Sequence, residues 1–389
     1  MRILYGFSNC TDGTYNRIVR EHNVSTMVPD QKYHGLLIKG LAQNGAEVRC
    51  FSGLPVNRAV TSRLIVREKD EREGNAYYHY ITTINLPILR HLMIFFGTFF
   101  SVLRAKKDKD TYALCDGLNF ANTLGMLFAT KARKIKIVLI MTDLPNVQTT
   151  SAIRPWLNGK ILNLADGFVF LTEYMSQRLN KKNMPYIVLE GHVDSEIDIS
   201  NVPERTERIN GKRIVMYAGS LHRIYGIENL IGGFLKADIP DSELHIYGDG
   251  DYREEIVYIA SIYPNIKFYG VKPNEEIVKR EQEASILVNP RPVIQEFTPY
   301  SFPSKNLEYM LSGTPTLTTR LPGIPEEYLS YIYLFENDTI EGIAMSLKDV
   351  LQKSLSEREE KARDARAFVM NYKSNMIQSK KIIEFLQKC

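Results

Sequence analysis

The residues best suited to chemistry lie between Asn289 and Pro315. A strand-like run there gives way to a loop, and then to a helix that opens with Ser301-Phe302-Pro303-Ser304-Lys305 and carries Glu308 one turn further on. The first N–H groups of a helix lack internal partners and lie at the positive end of its dipole, so they attract anions. Ser301 or Ser304 is the expected N-cap. Lys305 in the first turn fits a bound anion, and the Glu308 carboxylate could accept hydrogen bonds from a ribose diol.

The run Glu308–Pro315 resembles the nucleotide-sugar motif of the retaining glycosyltransferases of family 4, which have the GT-B fold. The resemblance implies that Glu308 binds the ribose of the donor and that the amides around Phe302–Lys305 hold its diphosphate. The family has another glutamate eight residues earlier, close to the donor sugar, where this chain has Tyr300. Glu296 on the same loop, or Tyr300 itself, is the candidate for that role. The Pro-Ser-Lys sequence before Glu308 is similar to a branch of the family involved in surface polysaccharide synthesis.

A second block supplies further candidate donor ligands. A strand-like run ends at Gly219-Ser220 and is followed by a turn with His222 and Arg223 and then by a helix. The family places an arginine and a lysine on the diphosphate where this chain has Ser220 and Tyr225. Arg223, His222 and Lys305 are the candidates that could supply the positive charge instead, and a guanidinium is well shaped for a diphosphate. Gly248, in a turn similar to the Gly-Asp-Gly turn of the family, and Tyr269, at the end of the next strand-like run, complete the predicted donor set.

Candidates for the acceptor side lie in the first half of the chain. Asp143 follows the strand-like run Lys136–Met141 and could orient an acceptor hydroxyl or touch the donor sugar. The alternative interpretation of Asp143 is an ordinary turn carboxylate. Asp12, Gly13 and Thr14 form the loop expected after the first strand, although one glycine is too weak a signal for a phosphate-binding loop.

The resemblance implies activity without a metal ion, and we predict no cofactor, because a nucleotide-sugar would be a substrate. Asp249-Gly250-Asp251 has the spacing of a metal-binding Asp-x-Asp motif, but a turn followed by an N-cap aspartate is the favoured interpretation. The four cysteines are far apart and form no Cys-x-x-Cys pair, which argues against a disulfide scaffold or a thiolate zinc site. The basic residues are dispersed and form no recognised nucleic-acid module, so nucleic acid is not expected as a partner.

The elements that must position these residues alternate along the whole chain. Short apolar runs rich in β-branched and aromatic residues are separated by amphipathic segments, which is typical of parallel sheets covered by helices on both faces. The 389 residues exceed the usual size of one domain. The fold class is therefore α/β, with two doubly wound, Rossmann-like domains facing each other across a cleft, as in GT-B. We place the acceptor domain at 1–198, the donor domain at 199–374, and the joining segment at 194–212. The terminal helix at 375–389 is expected to return to the first domain, as in the family.

Charge and apolar patterning bear on the partners and the location. The formal net charge is +4, and it is uneven, because residues 1–205 hold 26 basic and 19 acidic side chains while the remainder hold 23 and 26. The segment Arg90–Lys109 is aromatic in the middle and basic at its ends, so it could lie on an anionic membrane surface; the alternative is a core helix with solvated ends. The longest apolar run, Leu92–Leu103, is too short to span a bilayer, and the N-terminus has no signal-peptide pattern. We therefore expect a cytoplasmic protein, peripheral at the inner face of the membrane.

These expectations combine into one predicted function and two alternatives. The protein is expected to transfer a sugar from a nucleotide diphosphate donor, with UDP favoured, to a hydroxyl of a glycan or of a polyprenyl-diphosphate-linked acceptor. The resemblance implies retention at the anomeric carbon and a role in capsule, O-antigen or exopolysaccharide synthesis. The alternatives are a nucleotide-sugar epimerase of similar two-domain form and a module that binds nucleotide-sugars without catalysis.

Overall fold

The computed structural model describes residues 1–22, 28–145, 159–197 and 211–389. The chain divides into two compact units. Unit 1 is Met1–Ser195 together with Ser374–Cys389, and unit 2 is Glu196–Lys373. The predicted boundary between residues 198 and 199 lies outside the described residues, as does most of the predicted joining segment.

The strands are numbered in chain order. They are β1 (Arg2–Phe7), β2 (Glu47–Ser52), β3 (Ile65–Val66), β4 (Glu71–Glu73), β5 (Ala76–Tyr80), β6 (Thr83–Ile84), β7 (Thr111–Asp116), β8 (Ile137–Met141), β9 (Gly167–Phe170), β10 (Tyr186–Val188), β11 (Arg213–Ala218), β12 (Ser242–Tyr247), β13 (Ile266–Gly270), β14 (Ile286–Asn289), β15 (Thr316–Thr318) and β16 (Tyr333–Leu334).

The α-helices that lie wholly within the described residues are numbered in the same way. They are α1 (Asp12–His22), α2 (Val28–Gln43), α3 (Pro87–Arg104), α4 (Phe120–Arg133), α5 (Glu173–Leu179), α6 (Ile227–Ala237), α7 (Arg253–Ile262), α8 (Asn274–Glu283), α9 (Ser304–Ser312), α10 (Ile340–Gln352), α11 (Leu355–Tyr372) and α12 (Asn375–Lys388). Short 3-10 helices cover Arg223–Tyr225, Thr298–Tyr300 and Glu326–Tyr328.

Each unit is built on one large sheet. Unit 1 has the strand order β10-β9-β8-β7-β1-β2-β5-β4, and unit 2 has the order β13-β12-β11-β14-β15-β16. The pairs are parallel in both sheets except β4 with β5, and β3 and β6 form a separate antiparallel ribbon. The central strands β1 and β8 are buried throughout, as the continuous apolar runs in the sequence predict. The predicted class, α/β with doubly wound parallel sheets, is confirmed.

The sheets fix where the candidate residues lie. In a doubly wound sheet, ligands bind at the carboxyl ends of the strands, beside the helices that follow. That edge of unit 2 holds the ends of β11, β12 and β14 and the start of α9. The same edge of unit 1 holds the ends of β1, β7 and β8. The terminal helix α12 packs against α2 of unit 1, and its first residue, Asn375, donates from its backbone N–H to the Val193 carbonyl at 2.8 Å.

One local expectation is wrong. Residues 12–14 open α1 and do not form a loop, because the Thr11 hydroxyl accepts from the Thr14 N–H at 3.2 Å and starts a helix there. Most of the segment Arg90–Lys109 lies in α3, which begins at Pro87, a residue suited to the first helical turn. Among the described residues this helix alone is long and apolar enough, by length and composition, to cross a membrane, and only 17% of it is buried.

Candidate functional site

The start of α9 is fixed by buried side chains that tie it to the central strands of unit 2. The Tyr309 hydroxyl accepts from the Ala218 N–H at 3.1 Å and donates to the Ala218 carbonyl at 3.2 Å, at the end of β11. The Asn306 side chain accepts from Asn289 Nδ2 at 2.8 Å and donates to Thr318 Oγ1 at 3.3 Å. The helix therefore cannot shift relative to β11, β14 or β15 without breaking buried hydrogen bonds.

The N-cap of α9 differs from the expected one. Pro303 occupies the N-cap position, and neither Ser301 nor Ser304 does. A proline side chain carries no acceptor, so it cannot satisfy the first N–H groups as a serine would. The Ser301 hydroxyl is instead the acceptor for Arg291 Nη1 at 2.9 Å. The opening turn of α9 therefore keeps donors that no cap side chain occupies, which suits an anion.

Two glycines bring the predicted donor segments together. A Cβ at Gly248, which has φ +131°, would lie 1.8 Å from the Gly219 carbonyl oxygen. A Cβ at Gly219 would lie 2.6 Å from Cε of Lys305 and 2.9 Å from the Tyr217 hydroxyl. The ends of β11 and β12 and the first turn of α9 thus approach one another through bare backbone. These three segments are about 30 to 90 residues apart in the sequence. They meet because β11 lies between β12 and β14 in the sheet, so that the loops after these strands share one edge.

Lys305 and Glu308 lie on the same side of α9. Lys305 Nζ is 3.9 Å from Glu308 Oε2, and the two side chains are 33% and 32% exposed. A cation beside the helix start and a carboxylate one turn later are the two groups needed to bind a diphosphate and the ribose attached to it. Both side chains remain accessible to a ligand.

Arg223 is engaged by other charges in this structure. It lies in an exposed 3-10 turn, donates to Glu255, lies 3.4 Å from Glu228 and covers the Tyr252 ring at 4.4 Å. The hydrogen bond to Glu255 is the main reason that its pKa is raised. Arg223 was predicted to bind the donor diphosphate, but these carboxylates neutralise part of its positive charge.

The turn around Asp251 also differs from its prediction. Tyr252, and not Asp251, is the N-cap of α7. The Asp251 carboxylate accepts from the Arg223 N–H at 3.0 Å and lies 3.4 Å from His222 Nδ1. Asp249 lies 3.5 Å from Arg253. Within the described parts of the chain, no group of three or more His, Cys, Asp or Glu residues is placed to hold a metal ion.

Arg291, in the loop after β14, was not predicted as a binding residue. Its guanidinium lies over the rings of Tyr225 at 4.9 Å and Phe297 at 5.8 Å, besides its hydrogen bond to Ser301. It therefore connects the turn after β11 with the loop before α9. Its position directly after a strand, in Asn289-Pro290-Arg291, is the sequence signal that could have identified it.

The remaining donor candidates occupy varied surroundings. Ser220 is exposed, and its carbonyl accepts from the Tyr217 hydroxyl at 2.9 Å. Tyr269 stacks on Tyr247 with ring centres 4.8 Å apart, and Phe302 is buried against Tyr328. His222 and Glu296 are exposed, and Tyr300 ends a 3-10 turn and is half-buried.

The acceptor-side candidates in unit 1 do not form one group. The Thr14 hydroxyl donates to Glu71 Oε1 at 2.8 Å, and Thr14 is buried, so this hydroxyl holds β4 in place. Asp12 Oδ1 accepts from Gln31 Nε2 at 3.3 Å, while Gly13 is exposed. Asp143 is exposed after β8, where its Oδ1 accepts from the next N–H, that of Leu144, at 2.7 Å.

A buried polar group at the same edge was not predicted. Asp116 ends β7, and burial raises the pKa of its carboxyl to about 6. Burial is also the main cause of the raised pKa of Asp30, to which the charges of Asp116 and Asp143 add. His34 Nδ1 lies 2.7 Å from the Tyr5 hydroxyl, and burial lowers the pKa of this histidine to about 4. The sequence signal for Asp116 was its place after a strand-like run; Asp30 and His34 gave none.

Comparisons with known proteins agree with this architecture. Residues 198–368 match the family model of glycosyl transferases group 1, which is less than half of the chain and lies within unit 2. The comparison with curated proteins gives no match.

Solved structures match over the full length. The lipopolysaccharide outer core galactosyltransferase WaaB in its apo form is 15% identical, with a TM-score of 0.64 and coverage of 100% of this chain and 99% of that one. Anabaena HepE in complex with UDP is 13% identical, with a TM-score of 0.67 and full coverage of both chains. Sucrose-phosphate synthase from Thermosynechococcus elongatus is 15% identical, with a TM-score of 0.64 and coverage of 100% and 99%. The chain therefore has the GT-B fold, and the unit that holds the predicted donor site is similar to glycosyl transferases group 1.

Proposed function

We propose that the protein is a glycosyltransferase that moves a sugar from a nucleoside diphosphate donor, with UDP as its nucleotide, to a hydroxyl of a glycan or lipid-linked acceptor. The observation that carries the proposal is the meeting of Gly219, Gly248 and Lys305, with Glu308 one turn further along α9. The family match of unit 2 and the UDP complex of Anabaena HepE support the same class of donor.

The chemical step is stabilisation of the leaving group. As the glycosidic bond breaks, negative charge grows on the diphosphate, and fixed donors aimed at that charge lower the barrier. The first N–H groups of α9 and the Lys305 ammonium would supply this stabilisation, with Arg223 as the further cation that we carry over from the sequence. Glu308 would hold the ribose and thereby fix the position of the diphosphate.

The finer points of the proposal come from the resemblance. They are retention at the anomeric carbon, activity without a metal ion, and a role in capsule, O-antigen or exopolysaccharide synthesis in the cytoplasm. Retention is consistent with a front-face route, in which the leaving phosphate helps to deprotonate the acceptor. Asp143, Glu296 and Tyr300 remain the proposed residues near the reacting sugar, and Asp12, Gly13 and Thr14 the proposed acceptor side.

The test is a screen of UDP-sugars with the full-length protein, first by thermal shift and then by product formation with glycan and lipid-linked acceptors. A donor that binds only the folded state raises the melting temperature. Transfer to an acceptor is the expected result. Epimerised sugar nucleotide formed without acceptor would indicate the epimerase, and binding without any turnover would indicate a binding module. Tyr300 in place of the family glutamate, and the ion pairs of Arg223, favour the module as the second candidate.

Lys305→Ala is the matching variant. It should lower turnover more than it weakens binding of the intact donor, because charge accumulates on the diphosphate only as the bond breaks. Lys236→Ala is the control, since Lys236 pairs with Glu341 near the carboxyl end of α6 and belongs to none of the predicted donor segments. Equal turnover in the two variants would remove Lys305 from the mechanism.

A further inference from the structure

The outer face of α3 is apolar and open. Its exposed residues recur every fourth position and thus form a stripe along the helix, between 46% and 79% exposed: Ile88, Leu92, Phe96 and Phe100. The opposite face is buried and consists of Ile94, Thr98 and Val102. The helix therefore packs one face against unit 1, as expected of a helix beside a sheet, and leaves the other face open. The stripe is ordered by the packing of the buried face, and none of the described residues of unit 1 covers it.

Neighbouring elements extend the stripe into a surface. Gly125 lets α4 approach closely, because a Cβ there would lie 2.7 Å from the Phe95 carbonyl oxygen. Phe128 of α4 is half exposed, and its ring centre lies 6.1 Å from that of Phe95. At the other end of α3, the β3–β6 ribbon exposes Leu64 and Ile65. We call this set, with the α3 stripe, the α3–α4 surface.

The charges that border the α3–α4 surface are mainly positive, although Lys131 of α4 pairs with Asp166 at 2.8 Å and Asp108, directly after Lys107, pairs with Arg2 at 2.6 Å. No Asp or Glu occurs at positions 74–107 or 117–142, the two stretches that include both helices. The cations at the ends of α3 and α4 are exposed or partly exposed: Arg104, Lys106, Lys107, Arg133 and Lys134. An apolar helix face with a mainly basic border suits an anionic lipid surface, which attracts the cations while the aromatic rings enter the acyl boundary.

We propose that the α3–α4 surface binds in the plane of a bilayer that contains anionic lipid. The helix does not leave unit 1 to span the membrane, since its inner face is closely packed against α4 and against Ile81, whose Cγ2 would lie 2.5 Å from a Cβ at Gly97. Because α3 follows β5 and β6, its first turn starts near the carboxyl ends of the strands, the edge that also holds Asp143. Bilayer binding therefore places the proposed acceptor edge near lipid, although the binding itself does not depend on the transferase proposal.

The test is co-flotation of the full-length protein with vesicles of phosphatidylcholine alone or mixed equally with phosphatidylglycerol. The protein should float with the mixed vesicles and dissociate from them at high salt. Phe96→Ser with Phe100→Ser should weaken this binding at least about tenfold, because two half-exposed rings lose their burial in lipid. Val257→Ser with Tyr258→Ser is the control, as these exposed residues lie on α7 of unit 2.

A second variant covers the case in which the double serine variant does not fold. Lys106→Glu with Lys107→Glu changes only exposed side chains and should abolish the preference for the anionic vesicles. Wild-type protein that stays at the bottom of the gradient would overturn the proposal, as would unchanged flotation of either variant. A lipid-free dimer that Phe96→Ser with Phe100→Ser dissociates would assign the surface to a second copy of the chain. UDP binding, measured in parallel, separates failure of this inference from failure of the proposed function.

Discussion

Glu308→Ala tests the assignment of the ribose site. The variant removes the carboxylate that is proposed to accept hydrogen bonds from the ribose diol. A hydrogen bond to a charged group contributes about 1.5–3 kcal/mol, and about 1.4 kcal/mol changes an equilibrium constant tenfold. We therefore expect the Kd for uridine to rise about 10–150-fold.

The expected loss for UDP is smaller, for a reason visible in α9. Glu308 lies 3.9 Å from the Lys305 ammonium, and both side chains are about one third exposed. A pair of this exposure contributes roughly 0–1 kcal/mol. Without Glu308, Lys305 is released from the pair and its full charge is available to the diphosphate. The penalty for UDP should therefore be lower than the penalty for uridine, by up to about fivefold.

Isothermal titration calorimetry with uridine and with UDP measures the change in Kd for each ligand. Glu341→Ala is the control, because Glu341 pairs with Lys236 of α6 and belongs to none of the predicted donor segments. Lys305→Ala should show the reverse pattern, with a loss for UDP and little change for uridine. The assignment is refuted if Glu308→Ala binds both ligands within about twofold of wild type. It is also refuted if UDP loses more affinity than uridine.

Three further predictions concern other parts of the site. Gly248→Ala should unfold the protein or destabilise it by several kcal/mol in urea titrations, because the new Cβ would lie 1.8 Å from a carbonyl oxygen; Gly270→Ala, also at positive φ but in open space, should cost only about 1–2 kcal/mol. Arg291→Lys should weaken UDP binding in calorimetry, since an ammonium loses the stacking on Tyr225 that orders the turn after β11; unchanged affinity would count against this role. Burial raises the pKa of the Asp116 carboxyl to about 6 in the folded state, from 3.8 for an aspartate in water. The folded state therefore holds its proton more tightly, and stability falls as pH rises through this window, by roughly 3 kcal/mol in total. Asp116→Asn should flatten that fall in urea titrations and be more stable than wild type at pH 7; an unchanged pH profile would contradict it.

Local sequence patterns predicted most of the secondary structure. The strand Arg2–Phe7 coincides with an unbroken apolar run, and the helix Asn274–Glu283 with a helical run between turn residues; both are local signals in the sequence. The ribbon of β3 and β6 and the helix α1 were missed. These elements depend on partners far along the chain, such as the Glu71 carboxylate that accepts from the Thr14 hydroxyl.

The sequence by itself determined the class of fold and the identity of the Ser304–Glu308 segment as the candidate anion and ribose site, because both follow from residue types at fixed local spacing. The tertiary structure decided which side chains accompany that segment. It placed Lys305 beside Gly219, engaged Arg223 with Glu255, and brought Arg291 over Tyr225. The exposure of the outer face of α3 was likewise decided by the structure, since an amphipathic pattern alone does not say what covers each face. Contacts between residues distant in sequence arise from strand order and helix packing, which no single segment encodes.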